Sequence, residues 1–287
     1  MMHGKNTSRL QLILSMAIFG TLAPFVRNIS VSSGELALYR AVLAALVIGA
    51  FLLVTRQKIN LKAIGRELPL LLLSGMAMGI NWILLFEAYK FTTVAISTLS
   101  YYFAPVIVTV VSPFLFREKL TKKQIFCFVM STAGLALVIG ITNLGSGGND
   151  LLGIAFGLGA ACFYAMVILL NKFIKGVAGI HRTFLQFLAA IAILLPYVLL
   201  NGGMNLGGLD GLGWGCLLVV GLIHTGITYC LYFSSLKELP GQEAAILSYI
   251  DPLVAIVIGV LVLGEPLSWQ QLIGGGMILM FTLWNEL

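Results

Sequence analysis

Long runs of apolar residues, interrupted by short polar segments, occupy almost the whole chain. A helix that spans a bilayer needs about 20 predominantly apolar residues, and the pattern predicts ten such helices. Their predicted bounds are 10–28, 34–55, 68–90, 93–116, 122–142, 150–174, 180–200, 211–236, 242–263 and 268–285. The first run is long for the apolar part of a signal peptide and has no clear cleavage site, so we expect it to be retained. No separate soluble domain is predicted, because every connecting segment is short.

The composition supports the same interpretation. Hydrophobic residues make up 59% of the 287 residues and charged residues only 10%, whereas a soluble domain carries about 25% charged residues. A soluble globule of this length would expose more surface than so few charges could keep in solution, while a bilayer solvates the exterior with lipid. The 32 glycines suit close contacts between membrane helices. The four cysteines are isolated in apolar runs and predict neither a disulfide nor a metal site.

Lysine and arginine residues are distributed unevenly between the loops that these ten helices define. If the amino terminus lies in the cytoplasm, all but three of the 17 basic residues fall on the cytoplasmic side. The exceptions, toward the outside, are Arg27, Arg40 and Lys90. Because cytoplasmic loops are enriched in Lys and Arg, the alternation predicts an inner-membrane protein with both termini in the cytoplasm. It also explains the net charge of +6 without a nucleic-acid partner.

The chain repeats itself after a shift of 147 residues, or slightly fewer in the earlier helices of each half. The matching pairs include Gly79-Ile80 with Gly226-Ile227, Leu84 with Leu231, Phe86 with Phe233, Lys90 with Lys237, Tyr102 with Tyr249, Pro105 with Pro252, Glu118 with Glu265, Gln124 with Gln271, and Leu43-Ala44-Ala45 with Leu188-Ala189-Ala190. We therefore predict an all-α membrane protein in which ten transmembrane helices form two five-helix repeats, residues 1–145 and 146–287. Because five is odd, the second repeat must be inverted, a common construction among secondary transporters.

Several stretches resemble the EamA-type family of the drug/metabolite transporter superfamily. They are Asn81-Trp82, Phe86-Glu87-Ala88-Tyr89-Lys90-Phe91-Thr92-Thr93, Ala104-Pro105, Arg117-Glu118-Lys119-Leu120-Thr121, Tyr249-Ile250-Asp251-Pro252, Leu263-Gly264-Glu265-Pro266-Leu267-Ser268, and Arg40 near the start of the second helix. The resemblance covers essentially the whole chain. It implies a central cavity lined mainly by helices 1, 3, 4, 6, 8 and 9, and transport without ATP hydrolysis. Members of the family move amino acids, other metabolites, nucleotide-related compounds and lipid-like molecules, so the motifs specify the fold better than the substrate.

Two prolines, Pro105 and Pro252, fall near the middle of the fourth and ninth predicted helices. A proline within a helix removes one backbone hydrogen bond and frees the carbonyl four residues earlier. Those carbonyls belong to Tyr101 and Ser248, which are themselves related by the repeat. We predict a hinge with acceptors that face a cavity. The alternative is a packing kink in which a neighbouring hydroxyl satisfies each carbonyl.

Polar side chains deep in a membrane segment are costly and are therefore candidates for function. Asp251 is the most deeply placed acid, and it could bind a cationic substrate group or carry a proton between the two sides. Its repeat partner is Ala104, so the acid is not part of the symmetric scaffold. The alternative is a carboxyl group that hydrogen-bonds a neighbouring helix. Proton coupling through Asp251 is thus one interpretation of this acid, and the sequence leaves the coupling ion open.

Further candidates for substrate binding fall on the third, fourth, eighth and ninth predicted helices. With the two carbonyl residues above, the predicted binding set is Asn81, Trp82, Tyr101, Tyr102, His224, Thr228, Tyr232 and Ser248. The aromatic members could stack on an aromatic or cationic metabolite, as could other tyrosines within the spans, and the alternative for each is core packing. The polar members could instead join helices by hydrogen bonds.

Charged residues toward the predicted outer ends of the helices form a candidate gate. Glu87, Lys90 and Arg40 could pair and close the outer side, or could equally be solvated at the membrane surface. Glu118 and Glu265 lie at span ends, where a structural role is favoured. The predicted coupling and gating residues are thus Asp251, Glu87, Arg40, Pro105 and Pro252.

Catalytic and nucleotide-binding patterns are absent from the sequence. There is no nucleophile elbow, no His/Cys metal cluster and no Walker A sequence. An intramembrane aspartyl protease is disfavoured, because Asp150 and Asp210 both fall in predicted loops. The sequence therefore predicts a secondary active transporter rather than an enzyme, without a cofactor or metal. We favour an exporter of amino acids or similar small metabolites over an uptake or exchange carrier for another metabolite class. The predicted partners are the small-molecule substrate and the lipid bilayer, and the oligomeric state is left open.

Overall fold

The computed structural model of the protein describes residues 2–57, 59, 65, 67–116, 121–139, 149–177, 179–236, 239 and 247–287. Every regular element within these ranges is helical, and they contain no strand. The helices are α1 Met2–Gly20, α2 Leu22–Arg27, α3 Ser33–Val54, α4 Leu68–Phe91, α5 Val94–Tyr101, α6 Ala104–Phe116, α7 Lys122–Ile139, α8 Asn149–Phe173, α9 Gly179–Leu200, α10 Gly211–Leu218, a π-helical segment Val219–Ile227, α11 Thr228–Ser235, α12 Ile250–Leu261 and α13 Trp269–Glu286.

Seven helical stretches in the described ranges are long and apolar enough to cross a membrane. They are Asn6–Arg27, Ser33–Val54, Leu68–Phe91, Val94–Ser112, Asp150–Phe173, Gly179–Leu200 and Gly211–Ser235. Ile250–Leu261 is a shorter apolar helix, and α7 and α13 overlap the fifth and tenth predicted runs. The described residues are thus all helical and consistent with the predicted multi-pass membrane protein, while the count of ten spans and the inversion of the second half stay predictions.

Several residues on which the sequence patterns rest lie outside the described ranges. They include Lys58, Lys62 and Arg66 of one predicted cytoplasmic loop, Arg117, Glu118, Lys119 and Leu120 of the next, Lys237 of the last, and residues 242–246 at the start of the ninth predicted run.

Local sequence explains where several helices begin. Ser32 and Glu35 form a capping box at α3, in which the Ser32 hydroxyl accepts from the Glu35 amide and the Glu35 carboxylate accepts from the Ser32 amide. Ser268 and Gln271 do the same at α13. The Thr93 hydroxyl caps α5 by accepting a 3.2 Å hydrogen bond from the amide of Ile96.

The two predicted mid-helix prolines lie just after interruptions of their helices. The α5 helix ends at Tyr101 and α6 begins at Ala104, so Pro105 is the second residue of a new helix. Pro252 is the third residue of α12, which begins at Ile250. A proline in the first turn of a helix loses no hydrogen bond, since those amides have no intrahelical partner. The chain has therefore turned before each proline rather than bending at it.

Small residues allow several helices to approach closely. A Cβ atom at Gly134 of α7 would lie 2.6 Å from the carbonyl oxygen of Gly274 on α13, which brings these two helices into backbone contact. A Cβ atom at Gly20, at the end of α1, would lie 2.6 Å from the carbonyl oxygen of Asp251 on α12. Such contacts are typical of membrane helices, where dispersion rather than water exclusion drives association.

The hydrophobic core is largest where α3 and α4 meet α9 and the π-helical segment. Phe86 and Phe187 are fully buried there, and the rings of Trp82 and Phe187 meet edge to face with centroids 5.2 Å apart. Two further pairs of helices, α1 with α12 and α5 with α8, pack beside this core. They leave a space between them that holds the candidate site.

Candidate functional site

A central cavity of about 380 Å³ lies among α1, α3 to α6, α8, α11 and α12. Volumes of this size suit a small metabolite. Aromatic side chains are frequent on its wall: Phe19, Trp82, Tyr89, Tyr101, Tyr102, Tyr164, Tyr229, Tyr232 and Tyr249. The cavity is therefore apolar in its body and carries hydroxyl groups at many points of its wall.

One carboxyl group, that of Asp251, contributes to this wall. The Tyr102 hydroxyl donates a 2.7 Å hydrogen bond to Asp251 Oδ2. Tyr102 lies in the break between α5 and α6, and Asp251 lies in the first turn of α12. The two interrupted helices thus meet through this bond at the cavity.

One cationic group, that of Arg40 on α3, also contributes to the wall and is only 4% exposed. Its Nε donates a 2.7 Å hydrogen bond to the Thr225 hydroxyl. The guanidinium carbon lies 4.7 Å from the ring centroid of Trp82 and 5.6 Å from that of Phe86. Aromatic faces attract a cation electrostatically, so these rings partly compensate the charge in an apolar region.

The π-helical segment sets the position of Thr225. Its hydroxyl donates a 2.8 Å hydrogen bond to the carbonyl of Val220, five residues earlier. The same wide turns bring Gly221 and Gly226 against α3, since a Cβ atom at Gly226 would lie 2.7 Å from Cβ of Val47. π-Helical turns frequently occur at functional sites. Here the segment holds the Thr225 hydroxyl where it accepts the hydrogen bond from Nε of Arg40.

Stacked and edge-to-face rings hold the tyrosines of the cavity in place. Tyr101 and Tyr164 stack with centroids 5.2 Å apart and an interplanar angle of 27°. Tyr101 meets Tyr102 edge to face at 6.0 Å, and Phe19 meets Tyr229 edge to face at 5.3 Å. Such pairs stabilise the ring positions beyond simple burial. The wall is therefore preorganised for a planar or apolar solute.

Three residues of the predicted binding set do not line the central cavity. The side-chain amide of Asn81 donates a 2.6 Å hydrogen bond to the carbonyl of Ala160, which joins α4 to α8. His224 Nε2 lies 3.0 Å from the Thr21 hydroxyl and Nδ1 lies 3.3 Å from the Val219 carbonyl. The structure therefore gives these side chains the helix-joining contacts that were the alternative interpretation.

The third of these residues, Thr228, is fully buried. Its hydroxyl donates a 2.8 Å hydrogen bond to the carbonyl of Ile223 within the π-helical segment. The other predicted binding residues do line the cavity: Trp82, Tyr101, Tyr102, Tyr232 and Ser248. The predicted binding residues that line the cavity are thus mainly aromatic, whereas Asn81 and His224 join helices and Thr228 bonds within its own helical segment.

The predicted coupling and gating residues are likewise divided. Asp251, Arg40 and Pro105 line the cavity, whereas Pro252 and Glu87 do not. Glu87 pairs with Lys90 three residues along α4, with 3.1 Å between the charged atoms, at a position where both are partly exposed. Arg40 contacts Trp82 instead, so the three residues expected to form a gate do not meet.

A different charged cluster crosses one end of the bundle, and we call it the Arg27–Glu265 cluster. Arg27 Nη2 lies 2.6 Å from Glu265 Oε1, and their side chains are 32% and 8% exposed. The same nitrogen donates to the carbonyl of Thr92 at 3.2 Å, and Glu265 Oε2 accepts a 2.7 Å hydrogen bond from the amide of Val94. An anion at a helix amino terminus is favourable, so Glu265 both pairs with Arg27 and caps α5.

Glycine makes room for this carboxylate. A Cβ atom at Gly259 would lie 2.9 Å from Glu265 Oε2. A second cavity of about 670 Å³ is lined by Arg27, Thr92, Glu265 and other residues at this end of the bundle. Tyr89 contributes to the walls of both cavities. The Arg27–Glu265 cluster therefore lies at the boundary between the central cavity and this end of the molecule.

Sequence reasoning missed several site residues: Phe19, Tyr89 and Thr98 on the cavity wall, Thr225 beside Arg40, and Arg27 of the charged cluster. One signal was available for Arg27, which is among the few basic residues toward the predicted outside. Glu265 recurs at the repeat position of Glu118, and its place at a span end favours only a structural role. In the described ranges no group of three or more His, Cys, Asp or Glu side chains could hold a metal ion.

Comparison with known proteins assigns the chain to a family. The model of the EamA-like transporter family matches residues 7–140 and again residues 151–285. The chain belongs to the EamA-like transporter family. The resemblance noted in the sequence is thereby confirmed, and the protein is a membrane transporter.

Curated relatives match nearly the full length of the chain. An uncharacterized transporter, YxxF, of Bacillus subtilis is 32% identical over 97% of this chain and 88% of its own length. An uncharacterized transporter of Archaeoglobus fulgidus is 30% identical over 96% of this chain and 95% of its own. A solved structure described as "Crystal structure of protein" matches 96% of both chains with a TM-score of 0.67 and 17% identity. At that identity the likeness shows the fold alone, and the names of the two relatives describe transporters rather than enzymes.

Proposed function

We propose that this EamA-like transporter is a secondary active exporter that moves amino acids or similar small metabolites across the inner membrane by alternating access. The observation that carries the proposal is the central cavity. It combines a buried cation, Arg40, and a carboxyl group, Asp251, with a wall of aromatic rings. Ionisable groups within a membrane protein mark substrate or ion pathways. An amphiphilic metabolite would meet both charges and rings there.

The packing of the helices supports two inverted five-helix repeats, residues 1–145 and 146–287. The family model matches each half of the chain separately. Contacts between helices also occur in repeat-related pairs. The contact of α4 with α8 corresponds to that of α11 with α1. The contact of α4 with α9 corresponds to that of the π-helical segment with α3, and the contact of α5 with α8 corresponds to that of α12 with α1. The helices α7 and α13, related to each other by the repeat, contact one another. Each of these contacts is what a pseudo-two-fold axis between ten helices would generate.

The repeat also supports a pair of alternating gates. In the proposed orientation, with both termini in the cytoplasm, the Arg27–Glu265 cluster closes the outer end. A shift of 145 residues relates Arg27 to Lys172, and a shift of 147 relates Glu265 to Glu118. We expect Lys172 and Glu118, which lies outside the described residues, to act at the cytoplasmic end when the outer cluster opens. The breaks before Pro105 and Pro252 would serve as hinges.

Asp251 would couple transport to the proton gradient. Its carboxylate has one hydrogen bond from a described residue, that of Tyr102, and it lies on the cavity wall. A group in that position meets whichever solution the cavity is open to. It would therefore exchange a proton with one side and then the other as the gates alternate.

Reconstitution tests the proposal directly. Proteoliposomes containing the full chain would be loaded with a labelled amino-acid mixture, and efflux would be measured with and without a proton gradient. We expect protein-dependent efflux that a gradient accelerates. Absence of flux for every solute in a broad metabolite set, together with no shift in melting temperature by any of them, would overturn the transporter mechanism. Flux only in the uptake direction would overturn the assignment as an exporter.

A further inference from the structure

No acidic side chain of the described residues pairs with Arg40. Arg40 is only 4% exposed, and its guanidinium forms no salt bridge with a carboxylate of the described residues. Cations inside membrane proteins normally pair with an anion or a row of carbonyls, because removing a charge from water is expensive. Here the direct contacts among the described residues are two rings and one hydroxyl, and Tyr89, Tyr101 and Tyr229 lie close enough to interact electrostatically.

The acid nearest to Arg40 on its own helix is engaged elsewhere. Glu35 Oε2 accepts from the amide of Ser32, and Oε1 accepts from the amide of Asn205 and from the hydroxyl of Tyr39. Asp251 is bonded to Tyr102. Among the described acids, Glu35 and Asp251 are therefore each held by other donors.

The geometry leaves one part of the guanidinium for a ligand. The Nε of Arg40 donates a hydrogen bond to the Thr225 hydroxyl, and the guanidinium group lies against the Trp82 ring. The two terminal nitrogens have no hydrogen bond to a described residue, and Arg40 forms part of the cavity wall. Two adjacent N–H groups in a fixed fork match the two oxygens of a carboxylate.

A second unsatisfied group lies on the same wall. Thr98 is 5% exposed, and its hydroxyl lies near Tyr89 but has no hydrogen-bond partner of good geometry among the described residues. A buried hydroxyl without a partner costs free energy that a bound polar group would recover. Among the described residues, the cavity thus holds a cation that pairs with no anion and a hydroxyl that lies near Tyr89 without a hydrogen bond of good geometry.

We infer that Arg40 is a carboxylate-binding subsite. The terminal nitrogens of Arg40 bind the carboxylate of the transported solute, the Thr98 hydroxyl adds a hydrogen bond, and the apolar or planar body of the solute lies among the tyrosine rings. The inference rests on the proposed function and narrows it to small organic carboxylates, of which amino acids are one kind. It adds α3 to the elements that bind substrate, although the sequence resemblance implied a cavity lined mainly by other helices.

Three matched solutes test the subsite on the purified full chain in nanodiscs. L-Phenylalanine carries a carboxylate and an ammonium group, 3-phenylpropanoate carries only the carboxylate, and phenethylamine carries only the ammonium group. Binding would be measured by calorimetry and by thermal shift. Sodium chloride serves as the control for binding of a simple anion, chloride. We expect both carboxylates to bind at least about tenfold more tightly than phenethylamine, as the loss of a charge-assisted hydrogen bond implies. Equal or tighter binding of phenethylamine, or equal stabilisation by chloride, would overturn the inference.

Variants assign the effect to Arg40. Arg40→Gln should weaken binding of both carboxylates at least about tenfold and remove their advantage over phenethylamine, whereas Arg40→Lys should keep part of it. Arg182→Gln is the matched control, because Arg182 donates to the carbonyls of Asn171 and Ile174 and does not line the cavity. An unchanged preference for carboxylates in Arg40→Gln would refute the subsite.

Folding and function are separated by two further measurements. If Arg40→Gln does not yield monodisperse protein, Thr98→Val takes its place, and it should weaken carboxylate binding several-fold while phenethylamine binding stays unchanged. Equal weakening of all three solutes would contradict the inference. Proteoliposomes that transport phenethylamine but neither carboxylate would disprove the subsite and leave the transporter function intact. Absence of any flux, in contrast, would count against the proposed function itself.

Discussion

The hydroxyl of Tyr102 donates a 2.7 Å hydrogen bond to Oδ2 of Asp251, and this bond joins two helices that are both interrupted at the cavity. Tyr102 lies in the break between α5 and α6, and Asp251 lies one residue before Pro252 at the start of α12. A change in the charge of Asp251 therefore acts on a contact between two candidate hinges. In the proposed mechanism, proton binding and helix movement would therefore be linked at this contact.

Replacing Asp251 by asparagine should uncouple transport from the proton gradient. Asparagine preserves the hydrogen bond to Tyr102 without the charge, because its amide oxygen also accepts a hydrogen bond from the Tyr102 hydroxyl. We therefore expect Asp251→Asn to abolish acceleration by a proton gradient while solute exchange continues. Efflux and counterflow in proteoliposomes measure these two activities. Asp150→Asn is the control, since Asp150 bonds Thr92 away from the central cavity. Full gradient dependence in Asp251→Asn would rule out the coupling role.

Removing the ion pair of the Arg27–Glu265 cluster should open the outer end more often. The reporter is a cysteine introduced by Thr98→Cys in a protein without its native cysteines, and a membrane-impermeant maleimide is added outside. We expect Arg27→Gln to raise the rate at which the maleimide labels this cysteine. The increase should be about three- to fivefold, because an ion pair whose cation is 32% exposed is worth about 1 kcal/mol or less.

The comparison pair for this gate is Glu87 and Lys90, which is also an ion pair but does not belong to the cluster. Lys90→Gln should leave the labelling rate unchanged. In the double variant Arg27→Gln with Glu265→Gln, the effect on the labelling rate should be smaller than the sum of the effects of the two single variants, since both remove the same contact. Strict additivity, or an equal response to Lys90→Gln, would show that the cluster does not close the outer end.

Adding a methyl group at Gly134 should separate α7 from α13. Its Cβ atom would lie 2.6 Å from a main-chain oxygen, that of Gly274, which no side-chain rotation can relieve. We expect Gly134→Ala to lower the free energy of unfolding by about 1–3 kcal/mol, a typical cost of overpacking. Gly276→Ala on α13 meets no atom within 4 Å and should be neutral or slightly stabilising, because alanine favours helix. Melting temperatures in detergent compare the two, and equal values would contradict the close contact.

The sequence predicts membrane helices well here because apolar length alone identifies them. The seven long stretches overlap predicted runs. The helix breaks before Pro105 and before Pro252 each lie within a predicted run. Aromatic positions such as Trp82 and Tyr101 were also predictable, since a ring within a span either packs or lines a cavity. The direction of polar side chains was not predictable. Asn81 precedes Trp82 in the chain, yet Asn81 bonds Ala160 and only Trp82 reaches the cavity.

Charge pairing was the other part that the sequence did not reveal. Arg40, Glu87 and Lys90 all fall toward the predicted outer side, and linear order gives no reason to separate them. The structure separates Arg40 because Thr225 and Trp82 approach it from distant parts of the chain. The partner of Arg27 is Glu265, which lies in the other half of the chain. Such contacts depend on how helices from the two halves pack, which local pattern does not specify.

Residues that join helices and residues that bind solute should respond to mutation in opposite ways. Asn81→Ala removes one interhelical hydrogen bond, so we expect a loss of stability of about 0.6–1.7 kcal/mol, with solute affinity changed less than about twofold. Tyr101→Ala removes a ring that stacks on Tyr164 at the cavity wall. Its loss should weaken binding of L-phenylalanine at least about fivefold, because stacking and area burial both contribute.

Thermal unfolding and calorimetric binding on the same preparations separate these effects. Tyr101→Phe serves as the matched variant, since it keeps the ring and removes only the hydroxyl. It should retain most of the affinity that Tyr101→Ala loses if the ring, rather than the hydroxyl, contacts the solute. An Asn81→Ala variant that binds solute much more weakly at unchanged stability would reverse the assignment. It would return Asn81 to the substrate-binding set that the sequence predicted, and would require α4 to rotate toward the cavity in the bound state.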